Sequence, residues 1–222
     1  MFKINDNQFM TTHEAMFLLY KTLTYFQPKS VLEIGFGAGQ SAGIILESTL
    51  PGTKIISVDK LNQYYDQFNK IFPNNGIEFM HLDSRNLSLN HNFDFVFIDG
   101  DHDYEGVHND LTKCLPTLHR GSILCMDDYL HFNGVSKVIK DYLLGQNGFV
   151  PFLCGEQNMF FHHYTHDANK FLDSDIMKDT DDFIEFSTID YHGFDVTMGR
   201  MFSKAFTQDS NLFQQVLKFY DH

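Results

Sequence analysis

Apolar and polar residues alternate in blocks along the first three quarters of the chain. Short continuous apolar runs recur between longer segments whose apolar residues have helical spacing. Such runs are typical of strands buried on both faces of a parallel sheet, and the segments between them are typical of amphipathic helices. This alternation, from about residue 11 to residue 164, predicts an α/β fold: a Rossmann-like, doubly wound, mostly parallel sheet of seven strands.

The first predicted helix and the last predicted strands have clear boundary signals. Thr11 and Glu14 have the spacing of a capping box, and Pro28 ends the helix that follows. Only a short turn separates the last two strands, which makes the last strand antiparallel. The predicted strands are 31–34, 54–59, 77–80, 95–98, 122–126, 149–153 and 158–163.

Beyond residue 164 the pattern changes. Acids crowd residues 173–185, aromatic residues are scattered, and an amphipathic helix is predicted near 213–220. We therefore divide the chain into a domain of residues 1–164 and a C-terminal extension of residues 165–222. Unpaired aromatic residues suit an extension that docks on the core, covers the site as a lid, or joins a homo-oligomer.

Composition excludes several classes of function. With 222 residues and 43% hydrophobic residues, the chain can bury one sizeable core. No apolar run approaches the ~20 residues that span a bilayer, and the N-terminus lacks the apolar core of a signal peptide, so we expect a cytoplasmic protein without membrane contact. A net charge of −13 without a Lys/Arg cluster disfavours nucleic acid.

Carboxylates follow two of the predicted strands. The strand at 95–98 continues into Asp99, Asp101 and His102, and the strand at 122–126 continues into an Asp127–Asp128 pair. In open α/β sheets, ligands bind in the crevice beyond the carboxyl ends of the strands. Oxygen ligands without cysteine suit a hard cation such as Mg²⁺. The alternative is that these acids are turn residues, or that one of the pair caps the next helix.

Glycines follow the first predicted strand. Gly35, Gly37 and Gly39 permit close approach of the backbone to a ligand at the start of a helix. The dinucleotide fingerprint requires its third glycine where Gln40 stands, which disfavours an NAD-binding oxidoreductase of the Rossmann type but leaves it as an alternative. Asp59 ends the second strand, where a carboxylate can accept both hydroxyls of a ribose.

These motifs, in this order, resemble a class I S-adenosylmethionine-dependent methyltransferase over about residues 10–164. The resemblance rests on segments 31–39, Asp59, 81–84 and 95–106. More narrowly, segments 99–106 and 121–129 are similar to small-molecule O-methyltransferases. That group includes macrocin-type and other antibiotic-tailoring enzymes that methylate sugars and phenols.

The resemblance implies roles for individual residues. The three glycines would line the methionine part of the cofactor, Asp59 would hold the ribose, and Asp83 with Ser84 would flank the adenine. Relatives carry a divalent metal on acids that align with Asp99, Asp127 and Asp128. The predicted cofactor-binding set is Glu33, Gly35, Gly37, Gly39, Ser41, Asp59, Asp83, Ser84 and Asp99.

The predicted reaction is methyl transfer to a hydroxyl of a small molecule. A metal that binds two acceptor oxygens lowers the pKa of the attacking hydroxyl and orients it. Asp101 matches the base of the antibiotic-tailoring relatives, and His102 is the second candidate because its ordinary pKa suits neutral conditions. Many relatives with this histidine turn lack the second acid pair, so a metal-independent enzyme with His102 as base stays open.

Overall fold

The structure, a computed structural model, describes residues 12–144, 148–164, 167–178 and 184–201. The strands are β1 Ser30–Ile34, β2 Lys54–Asp59, β3 Glu78–His81, β4 Phe93–Ile98, β5 Leu118–Met126, β6 Phe149–Cys154, β7 Met159–His163, β8 Ile184–Tyr191 and β9 Phe194–Met201. The helices are α1 His13–Phe26, α2 Gln40–Ser48, α3 Tyr65–Ile71, α4 Tyr104–Cys114, α5 Asn133–Val138, α6 Asp167–Leu172 and α7 Asp175–Lys178.

These strands form one sheet in the order β3-β2-β1-β4-β5-β7-β6-β9-β8. Strands β1 to β5 pair in parallel, and β7 runs antiparallel to both β5 and β6. This confirms the α/β, Rossmann-like fold class. Within the described residues the sheet has nine strands, because two strands of the C-terminal extension continue it.

The core lies in two layers, one on each face of the sheet. Phe95 packs in the layer that contains Leu19 of α1 and Ala42 of α2. The next residue of β4, Val96, packs in the opposite layer with Leu111 of α4 and residues of α5. Successive strand residues point to opposite faces, so a strand covered on both faces must be apolar throughout.

Helix α1 begins one residue later than the capping box predicts. Its N-cap is Thr12, whose hydroxyl accepts a hydrogen bond from the backbone N–H of Ala15 at 3.2 Å. The carboxylate of Glu14 instead accepts from the backbone N–H of Glu156. Thr11 lies outside the described residues. The start of α1 is therefore fastened to the turn between β6 and β7.

Strands β8 and β9 were not predicted. They form a hairpin whose two-residue loop, His192–Gly193, has positive φ at both positions, the geometry of a tight hairpin turn. Strand β9 pairs in parallel with β6. The predicted helix at 213–220 lies outside the described residues. In the stretches that the structure describes, no helix has the length and apolarity needed to cross a bilayer.

Candidate active site

Four parallel strands end in one row at the carboxyl edge of the sheet. Ile34 of β1 lies opposite Val58 and Ile98, and Ile98 in turn lies opposite Met126. The residues that follow these four positions therefore lie side by side: Gly35, Asp59, Asp99 and Asp127. The predicted cofactor turn and the predicted acid cluster thus share one edge.

The glycine turn packs directly against β4. Gly35 has a φ of +95°, and a Cβ at this position would lie 1.9 Å from the carbonyl oxygen of Asp99. Only glycine satisfies both conditions. Gly37, also at positive φ, has no atom within 4 Å of the position that a Cβ would occupy, and it donates its N–H to Asp59 at 2.9 Å. Its open face is available to a ligand.

Asp59 is held in place by the backbone. Its Oδ2 accepts from the N–H of Gly37, and its Oδ1 accepts from the N–H of Leu61 at 2.7 Å. Each carboxylate oxygen can accept a further hydrogen bond. This arrangement fits a ligand with two adjacent hydroxyl donors, such as the ribose of S-adenosylmethionine.

Glu33 and Ser41 meet beneath the glycine turn. Glu33 is fully buried, and its carboxyl group accepts from the hydroxyls of Ser41, at 2.5 Å, and Ser57. Burial raises the pKa of Glu33 to about 7, against the effect of the two hydroxyls. Glu33 and Ser41 were both predicted to bind the cofactor. Their side-chain oxygens are instead hydrogen-bonded to each other inside the protein.

Asp83 and Ser84 lie in the turn after β3. Asp83 forms an ion pair with Arg85, which lowers the pKa of Asp83 to about 2. The Ser84 side chain lies near Asp110 of α4, a buried acid that sequence reasoning missed. Burial raises the pKa of Asp110, and Ser84 and the backbone N–H of Asp101 oppose that effect. Asp110 therefore links this turn to the turn after β4.

The acid cluster forms around His102. One ligand atom each from Asp99, His102 and Asp128 lies within 4.8 Å of the others. Nε2 of His102 lies 2.9 Å from Oδ2 of Asp128 and 3.8 Å from Oδ1 of Asp99. Contacts with these two acids raise the pKa of His102 to about 10. The imidazole is therefore charged at neutral pH in this arrangement, and the Phe132 ring stacks on it at 4.3 Å.

Asp127 lies beside this group. It is buried, and its carboxyl group is close enough to those of Asp99 and Asp128 for their charges to act on it. Burial and the charges of Asp99 and Asp128 raise the pKa of Asp127 well above its ordinary value, and burial also raises the pKa of Asp99. Among the described residues no donor is hydrogen-bonded to the buried Oδ1 of Asp127.

These features fit a divalent cation. Crowded carboxylates are costly to ionise together, and a cation removes that cost. The unpaired Oδ1 of Asp127 is a ready oxygen ligand for a hard metal ion. Of the three predicted metal ligands, Asp99 and Asp128 lie within 4.8 Å of each other in a group that also contains His102, and Asp127 lies beside this group.

Asp128 has an unusual backbone conformation. Its φ of +58° lies in the left-handed region, which is uncommon for residues other than glycine and tends to occur at functional sites. Burial acts to raise the pKa of Asp128, but contacts with His102 and His131 outweigh it and lower the pKa. The contacts with the two histidines therefore favour the ionised form of Asp128.

Asp101 points away from the acid cluster. Its carboxylate forms a 2.6 Å ion pair with Lys60, which follows Asp59 at the end of β2. Of the two predicted bases, the structure places His102 among the acids and places Asp101 beside the cofactor side of the edge.

Gln157 is a site residue that sequence reasoning missed. Because β7 runs antiparallel to β5, the turn before β7 lies at the carboxyl edge. Gln157 is only 6% exposed there, and its side-chain amide donates to both Asp127 and Asp128. The predicted antiparallel strands were the signal for this turn, but no motif marks the glutamine.

Comparisons with known proteins agree with this description. Residues 32–129 match the family model described as "Methyltransferase domain", which spans the glycine turn and the acid cluster. An O-methyltransferase from Bacillus cereus, solved in complex with SAH, has a TM-score of 0.54 and 16% identity; the alignment covers 69% of this chain and 82% of that one.

Two further solved structures share the fold. A methyltransferase from Geobacter sulfurreducens has a TM-score of 0.58 and 16% identity, over 70% of this chain and 82% of that one. CalS11, a TDP-rhamnose 3'-O-methyltransferase of calicheamicin biosynthesis, has a TM-score of 0.55 and 16% identity, over 68% and 80%. No curated protein sequence matches this chain significantly.

Proposed function

We propose, from the premise that this chain is an S-adenosylmethionine-dependent methyltransferase of class I, that it methylates a hydroxyl of a small molecule with the help of Mg²⁺. The domain match and the shared fold carry the premise. One observation carries the proposal: Asp99 contacts both the glycine turn and the acid cluster. Its carbonyl packs on the glycine turn, and its carboxylate faces Asp128 and His102.

On the cofactor side, this chain supplies a cradle of fixed backbone and carboxylate groups. The open face of Gly37 lets a ligand approach the backbone, and Asp59 offers two oriented oxygens for ribose hydroxyls. S-adenosylmethionine, when bound, supplies an electrophilic methyl group on its sulfonium. The buried carboxylate of Glu33 supports the glycine turn by accepting hydrogen bonds from the hydroxyls of Ser41 and Ser57.

On the acid side, Asp99, Asp127 and Asp128 would hold Mg²⁺. When bound, the ion would lower the pKa of a coordinated hydroxyl and fix its position. The acids themselves do two things: they concentrate negative charge at the edge and they keep His102 protonated. A cation that neutralises them removes the cause of that raised pKa and brings His102 back towards its ordinary range.

His102 is therefore the better candidate for the proton acceptor. It lies inside the acid cluster, whereas the Asp101 carboxylate is engaged by Lys60. The second candidate function is a metal-independent methyltransferase in which His102 is the base beside Asp128. Without a cation the contact with Asp128 opposes that role, because it raises the pKa of His102 to about 10 and the imidazole keeps its proton at neutral pH. The two functions differ in whether turnover survives removal of divalent cations.

The residues after Asp128 bear on the acceptor. Leu130 and Phe132 are 57% and 43% exposed, large fractions for apolar side chains beside a charged cluster. Phe132 also covers one face of His102. These side chains suit an acceptor whose hydroxyl adjoins an apolar or aromatic portion, such as a phenol, better than a fully polar sugar.

The first test is calorimetric titration of the protein with S-adenosylhomocysteine and, separately, with NAD⁺. We expect micromolar binding of S-adenosylhomocysteine alone. Turnover of S-adenosylmethionine with phenolic and sugar acceptors, in Mg²⁺ and then in EDTA, should follow and should be lost in EDTA. Preference for NAD⁺ would overturn the methyltransferase proposal, and full turnover in EDTA would support the metal-independent enzyme.

A further inference from the structure

We infer that Gln157 is a positioning residue that directs towards the cation the oxygens of Asp127 and Asp128 that it does not itself bind. The inference rests on the proposed metal-assisted function. Gln157 lies outside the residues that match the methyltransferase domain, in the turn between β6 and β7. It touches neither the cofactor turn nor His102 in any contact of the described residues, so its effect acts through the two acids.

The orientation of its amide is fixed by a backbone donor. The N–H of Thr12 lies 2.8 Å from Oε1 of Gln157, and an N–H can only donate to the oxygen of an amide. Nε2 must therefore face the acids, 3.0 Å from Oδ2 of Asp127 and 3.2 Å from Oδ1 of Asp128. The two hydrogens of one nitrogen serve the two carboxylates.

This arrangement sorts the four carboxylate oxygens into two kinds. Gln157 binds one oxygen of each acid, and His131 also contacts the same oxygen of Asp128 at 3.2 Å. The other two oxygens are left for different partners: Oδ1 of Asp127 has no donor among the described residues, and Oδ2 of Asp128 faces His102. Those two oxygens are the ones available to a metal ion.

The turn that carries Gln157 is itself anchored on several sides. The carbonyl of Gln157 accepts from the N–H of Tyr129, and the Tyr129 hydroxyl donates to the carbonyl of Gly155 at 2.9 Å. Glu14 of α1 accepts from the N–H of Glu156. A side chain held in this way loses little conformational freedom when it orients a metal ligand. Residues that hydrogen-bond to metal ligands commonly have this role.

The test compares Gln157→Met with the wild-type protein and with Glu156→Gln. Methionine preserves length and packing but removes both donors and the acceptor. Glu156 lies in the same turn with an exposed side chain, so its variant controls for changes to the turn. Each protein is titrated calorimetrically with MnCl₂ in saturating S-adenosylhomocysteine, then with S-adenosylhomocysteine alone, and its thermal unfolding is recorded.

We expect Gln157→Met to weaken Mn²⁺ binding about 10- to 100-fold, the usual cost of losing a residue that hydrogen-bonds to metal ligands. The affinity for S-adenosylhomocysteine should stay unchanged. Glu156→Gln should bind both ligands as wild type does. Gln157→Asn keeps the amide on a shorter side chain and serves if the methionine variant fails to fold; it should weaken Mn²⁺ binding and leave the cofactor affinity intact.

Different results overturn different claims. If the wild type binds Mn²⁺ and the folded Gln157 variants bind it equally well, the inference fails and the proposed function stands. If the variants lose Mn²⁺ and S-adenosylhomocysteine binding together, Gln157 is merely structural. If the wild type itself binds no Mn²⁺, the metal-assisted function fails, and the inference fails with it.

Discussion

The two halves of the carboxyl edge differ in how their carboxylates are satisfied. On the cofactor side, both oxygens of Glu33 and both oxygens of Asp59 accept hydrogen bonds from the protein. On the acid side, Asp99 and Asp127 crowd each other, and one buried oxygen of Asp127 has no donor among the described residues.

The cofactor half is therefore a preformed binding surface, whereas the acid half holds negative charge that the protein does not fully compensate. Donors already in place require little reorganisation when a ligand arrives. Crowded acids instead favour the arrival of positive charge. We therefore expect the cofactor half to respond to changes in packing and backbone geometry, and the acid half to respond to charge and to divalent cations.

The largest effect should come from Gly35→Ala on the cofactor side. The new Cβ would meet the Asp99 carbonyl at a backbone conformation that disfavours alanine, and strain and overpacking together cost about 4 kcal/mol. Gly37→Ala is the matched control: it has open space, so only its positive φ matters, at about 1 kcal/mol.

Denaturant unfolding measures both glycine variants, and calorimetry with S-adenosylhomocysteine measures their cofactor sites. Gly35→Ala should lose cofactor binding as well as stability. Equal losses of stability in the two variants would show that the contact between the glycine turn and β4 is not tight. The cofactor half would then not be distinguished by its sensitivity to packing.

Glu33 should produce a pH dependence that belongs chiefly to the cofactor side, because burial is the largest cause of its raised pKa and the charge of Asp99 is a smaller one. Its pKa is about 7 when folded and 4.5 as the ordinary value, so between these values the folded protein retains a proton that the unfolded chain releases. Stability therefore falls as pH rises from about 4.5 to 7, by about 3 kcal/mol, and is constant above that window for this group.

Glu33→Gln cannot ionise and should escape that loss. The free energy of unfolding of Glu33→Gln minus that of wild type should therefore rise by about 3 kcal/mol across the window, measured by denaturant unfolding at several pH values. Mg²⁺ should reduce this difference only slightly, because burial outweighs the charge of Asp99 in raising the pKa of Glu33. A difference that disappears in Mg²⁺ would mean that the two halves are electrostatically one site.

Asp127→Asn should affect the acid side alone. It removes one of the crowded charges, so turnover and Mn²⁺ affinity should each fall at least about a hundredfold, whereas S-adenosylhomocysteine affinity should be unchanged. Because a buried repulsion is relieved, the cation-free variant should unfold at a higher temperature than the cation-free wild type. A lower unfolding temperature would contradict the repulsion described for Asp99 and Asp127.

The smallest effect should come from Lys60→Met, between the two halves. The Lys60–Asp101 pair is exposed, with 53% and 36% of the side-chain surfaces accessible, so its loss should change stability by less than about 1 kcal/mol. Binding of S-adenosylhomocysteine and Mn²⁺, measured by calorimetry, should stay as in wild type. A tenfold loss of either would place this pair inside the site.

The sequence was most informative where strands are buried on both faces. Continuous apolar runs identified β1, β2, β4 and β5, and the acids that follow β4 and β5 meet because parallel strands end at one edge. Local chemistry could not show which way those acids turn. Asp101 pairs with Lys60, a contact set by side-chain direction rather than by sequence spacing.

Three features escaped sequence reasoning for different physical reasons. Gln157 and Asp110 are single polar residues whose partners come from distant parts of the chain, and no local pattern marks such contacts. The β8–β9 hairpin did carry a signal, since a His192–Gly193 turn flanked by β-branched and aromatic residues is typical of hairpins. The acid-rich stretch of residues 173–185 runs into the start of β8 and obscures the alternation there.

The antiparallel placement of β7 also sets an order in which the two halves can assemble during synthesis. Strands β1, β2 and β4 lie within the first 98 residues, so the cofactor half can form from chain that leaves the ribosome early. The bond between Gln157 and Thr12 joins residues 145 positions apart. The acid half thus waits for the β6–β7 turn to emerge, and a nascent chain stalled before that point would carry the cofactor cradle without its finished acid cluster.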